Sequence, residues 1–222
     1  MPTIYCYLSS DPTHFNSPPK IVEDQMTQTI GIKDDYSIIH ESMELGKSRE
    51  DAISTYGEYQ LMVINYGIKE QVAVYDMPTN KFGVFKPIQK NVEIQILPKM
   101  SFTVGKQIFY AESDKLYRLL QNGKTYYYDL PTKIGQEYVI GNDPMNEISI
   151  PFSEDSSISK KHIAIRRTKD FYSIRDMNST NGTWLRIEYG KPMGDSFTDQ
   201  SPAIYKFGYC YFCKVTHSNI GI

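Results

Sequence analysis

Residues 156–185 read SSISKKHIAIRRTKDFYSIRDMNSTNGTWL, and the reading of this stretch decides the fold. Ser159-Lys160-Lys161-His162 is an S-x-x-H loop. Two strand-like runs follow, Ile163 to Arg167 and Phe171 to Asp176, split by a polar turn at Thr168–Asp170. The stretch closes on Asn178-Ser179-Thr180-Asn181-Gly182-Thr183, a cluster of turn formers ending in Asn-Gly. Upstream stand Tyr138-Val139-Ile140-Gly141-Asn142 and Asn146-Glu147-Ile148-Ser149-Ile150-Pro151.

The rest of the chain repeats this grammar of short strands and turns. Apolar alternation at Ile4–Leu8 predicts a strand, and residues beyond it, rich in Asp-Pro and Ser-Pro-Pro, an irregular segment. Residues 36–50 fit a strand pair better than an amphipathic helix. Tyr59–Asn65, Gln71–Tyr75, Lys81–Phe85, Val92–Leu97 and Gln107–Tyr110 are β-branched or aromatic and bounded by turn residues. Asp114–Gln121 is compatible with a turn of helix or with a strand. Thr125–Leu130, Tyr138–Gly141, Ile148–Ile150, Tyr172–Arg175, Thr183–Ile187 and Ile204–Val215 complete the set. With 18 Tyr and 10 Phe among 222 residues, the composition suits a β-rich globular protein. The fold class expected is all-β: two β-sandwiches in tandem, 1–121 and 122–222, with Asn122-Gly123-Lys124 as the boundary.

In order, the Gly141, Asn146-Glu147-Ile148, S-x-x-H and Asn-Ser-Thr-Asn-Gly-Thr motifs resemble a forkhead-associated (FHA) domain over roughly residues 124–217. That family binds phosphothreonine peptides on loops at one end of a sandwich. The resemblance implies a non-enzymatic protein–protein interaction module. Ser159 would offer its hydroxyl to the phosphate, Lys160 its ammonium or backbone N–H, Thr180 would line the pocket, and Asn181 would hold the ligand backbone. Gly141, His162 and Gly182 would support the loops. The family usually places an arginine directly after the first glycine; here that position is Asn142. Loss of one charge-assisted contact costs roughly 1.5–3 kcal/mol, so a weakened phosphate grip is expected. The competing reading is a phospho-independent structural subunit of a larger assembly, for example ciliary or nuclear.

Sliding the chain by one hundred residues lays Lys69–Met77 on Lys169–Met177 and Leu61–Asn65 on the strand after His162. Thr103–Phe109 resembles the closing hairpin of the same family. The first half therefore looks like a degenerate second copy. Tyr59 and Met62 then stand where Ser159 and His162 stand, and Met77–Phe82 replaces the Asn-Gly loop.

Other chemistry is poorly supported. Gly46-Lys47-Ser48 lacks the glycine a phosphate-binding loop needs, since Glu41 stands there. Cys210, Cys213 and His217 fall short of the four ligands of a structural zinc site, so no metal or cofactor is expected. No nucleophile–base–orienter set can be read. Asn178 and Asn181 match the glycosylation pattern, but the N-terminus does not read as a secretory signal. A net charge of −2 gives no electrostatic case for nucleic acid, and no apolar run is long enough to span a membrane. Three cysteines suit a reducing, intracellular setting: cytoplasm, nucleus or cilium.

Overall fold

The structure is a computed structural model, and it describes residues 3–9, 13–16, 20–22, 26–32, 38–44, 59–65, 72–76, 83–120, 123–187, 193–194, 202–207 and 211–218. Every regular element among them is a strand. In chain order these are β1 (Thr3–Ser9), β2 (Lys20–Val22), β3 (Met26–Ile32), β4 (Ile38–Glu44), β5 (Tyr59–Asn65), β6 (Val72–Asp76) and β7 (Val84–Pro87). Then come β8 (Glu93–Ile96), β9 (Ser101–Val104), β10 (Gln107–Glu112), β11 (Lys115–Leu119), β12 (Thr125–Asp129) and β13 (Glu137–Gly141). The remainder are β14 (Ile148–Ser149), β15 (Ile163–Arg167), β16 (Tyr172–Asp176), β17 (Thr183–Arg186), β18 (Met193–Gly194), β19 (Ala203–Phe207) and β20 (Tyr211–Ser218). The all-β expectation holds. The ambiguous run after Asp114 is strand β11.

The chain divides into two compact units. One holds Phe85–Arg186; the other is made of Met1–Val84 and Ile187–Ile222. The boundary expected at Asn122–Lys124 lies inside the first of these. Gly123 sits in the β11–β12 hairpin, where Leu120 N–H donates to Lys124 O (2.9 Å) and Gly123 N–H to Leu120 O (3.0 Å). Gln121 and Asn122 fall outside the described residues. Asn-Gly marks a hairpin as readily as a linker. Here the hairpin wins, because Leu116 on β11 is buried in the core and β12 pairs β11 along its length.

In the unit Phe85–Arg186, one sheet runs β12-β11-β10-β9-β17-β7 and the other β14-β13-β15-β16-β8. All their pairings are antiparallel except β13–β14, which is parallel. The core lies between the sheets. Phe102 and Phe109 stack at 5.7 Å between ring centroids and meet Ile140, Ile163, Ile165, Tyr172 and Ile174 from the other sheet. Each such side chain contributes roughly 1.5–3 kcal/mol on burial. The period-two alternation of Ile163 and Ile165, and of Tyr172 and Ile174, sends these residues inward. It thereby fixes the register that brings the strand ends, and the loops they carry, together.

In the other unit one sheet runs β4-β3-β5-β6-β18, and β19-β20-β1-β2 form a second antiparallel run. Across β1–β20 Lys214 lies opposite Tyr7, its ammonium 5.2 Å from the ring centroid. Strands β2 and β3 replace the irregular segment expected before residue 35. The signal lay in Met26, Gln28, Ile30 and Ile32 alternating with Thr27 and Thr29, a β-branched pattern whose polar residues mask it. The single expected strand Ile204–Val215 is the hairpin β19–β20.

Candidate functional site

Four stretches converge at one end of the unit Phe85–Arg186: 141–146, 155–162, 176–183 and the β9–β10 turn. His162 opens β15 and is fully buried. Its Nδ1 accepts from Ser159 N–H (3.1 Å), which leaves Nε2–H to donate to Gly182 O (3.1 Å). One imidazole thus joins the loop before its strand to the loop after β16. Its backbone N–H donates to Ile140 O (2.9 Å).

Gly141 ends β13 where the chain passes hard against the Ser159–Lys160 backbone. A Cβ there would stand 2.0 Å from Lys160 O and 2.7 Å from Asn146 Nδ2, so close approach demands glycine. Asn142 follows. Its N–H donates to Ser159 O (3.1 Å) and its side-chain amide to Ile158 O (2.5 Å). Asn146 Nδ2 donates to Lys160 O (2.6 Å), and Asp143 N–H to the same carbonyl (3.2 Å). This loop is therefore a clamp on residues 158–160.

The loop after β16 turns around Asp176, which is buried. Its carboxylate accepts from Ser179 N–H (2.8 Å), Ser179 Oγ (2.7 Å) and Thr183 Oγ1 (2.6 Å). Burial opposes ionisation. The hydrogen bonds from Thr183 and Ser179, with His162 nearby, outweigh it and hold the carboxyl below its ordinary value. Asn178 at φ 60° and Gly182 at φ 74° make the reversals. A Cβ on Gly182 would meet Trp184 Nε1 at 3.8 Å, an ordinary contact, so the demand there is conformational. Trp184 Nε1–H donates to Asn181 O (3.2 Å), and Asn181 Nδ2 to Ser157 O (2.8 Å).

The two loops meet at Ser159. Its hydroxyl accepts from Thr180 N–H (3.0 Å) and lies 3.4 Å from Thr180 Oγ1. Thr180, Asn181 and Lys160 are exposed; Ser159 and Asn142 are partly so. The structure thus brings Asn142, Ser159, Thr180 and Asn181 around one short backbone segment, with the Lys160 backbone inside it. Arg166 does not join them. It lies four residues along the strand from His162, about 13 Å away, and pairs with Glu93 at 3.6 Å.

Sequence reasoning missed a second tier. Asp155 is buried. It accepts from Lys106 N–H (2.7 Å), Gln107 Nε2 (3.1 Å) and Ser157 N–H (2.9 Å). Gln107 Oε1 in turn accepts from Arg118 Nε (3.2 Å), and Arg118 reaches Glu154 (2.6 Å) and Tyr128 Oη (3.2 Å). A Cβ on Gly105, at φ 60°, would meet Ser157 Oγ at 2.6 Å and Asp155 Oδ2 at 2.7 Å. The local signal was Asp155-Ser156-Ser157, an Asx-turn sequence. Its partners lie some fifty residues away and leave no trace nearby.

Chemically, the site offers hydroxyls, backbone N–H groups and a lysine on braced loops, which suits an anionic, hydrogen-bonding ligand. Among the described residues no three His, Cys, Asp or Glu side chains are grouped to hold a metal, and no helix is long and apolar enough to cross a membrane. Cys210, weighed above as a zinc ligand, lies outside the described residues, and Cys213 is buried.

The FHA domain family model matches residues 138–195, the stretch that holds the Gly141, Ser159–His162 and Asn178–Thr183 loops. No curated protein matches the chain. Among solved structures, one similar chain comes from a structural and functional analysis of phosphothreonine-dependent FHA domain interactions. It is 22% identical, with a TM-score of 0.24, over 45% of this chain and 91% of that one. Another is a streptogramin B lyase structure, 12% identical, with a TM-score of 0.21, over 96% of this chain and 98% of that one.

Proposed function

We propose that the loops around Ser159 form the binding end of a non-catalytic protein-interaction module that takes phosphothreonine peptides with a weak phosphate grip. The observation that carries this reading is the Ser159 hydroxyl. It is held at 3.0 Å from Thr180 N–H at an accessible loop junction. An incoming phosphate would accept a hydrogen bond from the Ser159 hydroxyl and pair with the Lys160 ammonium. Thr180 would flank the phosphothreonine side chain, and Asn181 the peptide backbone. The weakness follows from Asn142. It carries no charge, and its amide is committed to Ile158 O. The partner in this reading is a protein, since a net charge of −2 supplies no field for a polyanion.

The second reading, a scaffold subunit indifferent to phosphate, is favoured by the same commitments. Asn142 and Asn181, the side chains nearest in type to ligand-holding groups, both donate to the protein's own carbonyls. Titration of matched threonine and phosphothreonine peptides against the full chain separates the two. The first reading expects a phospho-preference that Ser159→Ala abolishes. Equal binding of both peptides, or none, leaves the scaffold.

A further inference from the structure

We infer that the chain is two copies of one ten-strand module that have exchanged their last three strands, so that the site loops of the second copy are held by residues of the first. Strand order carries the argument. Adding ten to each label turns the sheet order β4-β3-β5-β6 into β14-β13-β15-β16; the pairings β3–β5–β6 and β13–β15–β16 are antiparallel in both, and only the edge pair differs, antiparallel for β3–β4 and parallel for β13–β14. It likewise turns the pair β1–β2 into β11–β12. The fifth place of each of those sheets breaks the rule: β8 lies beside β16, and β18 beside β6. The hairpins break it the same way. β10 pairs β11, whereas β20 pairs β1. The division into units says the same: β8, β9 and β10 belong to Phe85–Arg186, while β18, β19 and β20 belong with residues 1–84.

Sequence supports the equivalence at the exchanged strands. Phe102-Thr-Val-Gly105-Lys-Gln-Ile-Phe109 matches Tyr205-Lys-Phe-Gly208-Tyr-Cys-Tyr-Phe212 in spacing. Phe102, Phe109, Tyr205 and Phe212 are all buried. The pairing registers also correct the hundred-residue alignment. Leu61 faces Asp76 as Ile163 faces Asp176, an offset of two residues before the turn. The counterparts of Ser159 and His162 are therefore Gly57 and Gln60, not Tyr59 and Met62. Ile30 faces Leu61 as Ile140 faces Ile163, which places Gly31 on Gly141.

The exchange reaches the site. From the segment between β7 and β8, Ile88 N–H donates to Thr183 O (3.0 Å) and Asn91 N–H to Asp176 O (2.9 Å), at the two ends of the Asn178–Gly182 loop. From the β9–β10 turn, Lys106 N–H and Gln107 Nε2 hold Asp155, which anchors the Ser157–Ser159 loop. On β8, Glu93 accepts from Ser173 Oγ. Residues 88–107 of the first copy thus position both loops of the second. The strand order stands whatever ligand the loops take.

Cysteine pairs in the full chain test this. In the exchanged arrangement Gln95 lies opposite Ser173. In a closed second copy Gly194 would take that place, because it lies opposite Ala73 on β6. The inference expects Gln95→Cys/Ser173→Cys to form an intrachain disulfide, mapped by peptide mass spectrometry, and Ser173→Cys/Gly194→Cys to remain at background. A 173–194 link overturns it, as does a 95–173 link found only between chains. Should the Ser173 variants fail to fold, Glu93→Cys/Arg175→Cys on the same strand pair replaces them, and absence of an intrachain link there overturns the inference. A protease site inserted at Ser113–Asp114, in the turn between β10 and β11 where the first copy ends, gives a second readout: the nicked halves stay associated through native chromatography, and their separation overturns the inference.

Discussion

Replacing His162 with alanine removes a buried side chain that joins the Ser159 loop to the Asn178–Gly182 loop from beneath, alongside the more exposed Ser159–Thr180 and Asn181–Ser157 contacts. The ring is fully buried and makes two hydrogen bonds, one accepted from Ser159 N–H and one donated to Gly182 O, each 3.1 Å. Losing one such bond and stranding its partner costs about 1–3 kcal/mol when the partner is shut off from water. Ser159 and Gly182 are both partly accessible, so water can reach each orphaned group and the lower end applies to both. About 2–3 kcal/mol in total is expected. Urea denaturation checks this, with the midpoint falling and the slope unchanged. For a slope of about 2 kcal/mol/M the shift is about 1–1.5 M. Glutamine at 162 carries a donor that can reach toward Gly182 O and should recover part of the loss. An unchanged midpoint in His162→Ala would refute the bracing role, however well the peptide still bound.

Gly141→Ala should destabilise by about 3 kcal/mol, since its Cβ would stand 2.0 Å from Lys160 O, a backbone oxygen that the Asp143 and Asn146 bonds hold in place; thermal melts read it directly. Asp176→Asn should cost about 2–3 kcal/mol, because an amide nitrogen would face hydroxyl and N–H donors. Asp176 has a depressed folded pKa, so its stabilisation is full above the ordinary carboxylate value near 3.8 and is lost as pH falls through the folded value. Acid titration of stability should therefore show a steeper fall below about pH 4 in the wild type than in Asp176→Asn. Asn142→Arg should strengthen phosphothreonine-peptide binding about tenfold, the gain shrinking at high salt. Calorimetric titration showing no gain in phospho-preference would remove the weakened-pocket reading.

How much of this was legible in the sequence depended on how far each residue's partner lay along the chain. Ile163, Ile165, Tyr172 and Ile174 declare their strands because alternation is local, and the fold class followed from many such runs. His162 was legible as a buried bridge because it begins an apolar strand three residues after the serine it caps. Gly182 was legible because a positive φ is a property of the turn itself. Asp155 was not, since what makes it structural is Gly105, Lys106 and Gln107, about fifty residues upstream. The boundary at Asn122-Gly123 misread a hairpin for the same reason: only the β11–β12 register, which no local pattern announces, tells the two apart.

The same bracing bears on what the site can recognise. A phosphate pocket needs donors that are rigid yet uncommitted. Here rigidity is supplied by Asn142 on Ile158 O, Asn181 on Ser157 O, Asn146 on Lys160 O and Asp155 on the β9–β10 turn, and each of those groups is thereby engaged. Among the described groups at this end, the Ser159 and Thr180 hydroxyls and the exposed Lys160 and Lys161 ammoniums are left to meet an anion. An exposed ammonium acts as a point charge, screened by salt, while a hydroxyl adds a neutral bond worth about half a charge-assisted one. Asn142 thus trades a direct charge on the ligand for a fixed Ser159 loop. Restoring arginine tests both sides of that exchange: its guanidinium can reach an anion only by giving up Ile158 O. Affinity for the phosphopeptide should therefore rise while the stability of the ligand-free chain falls, and a variant that gained both would show that Asn142 is not the clamp described.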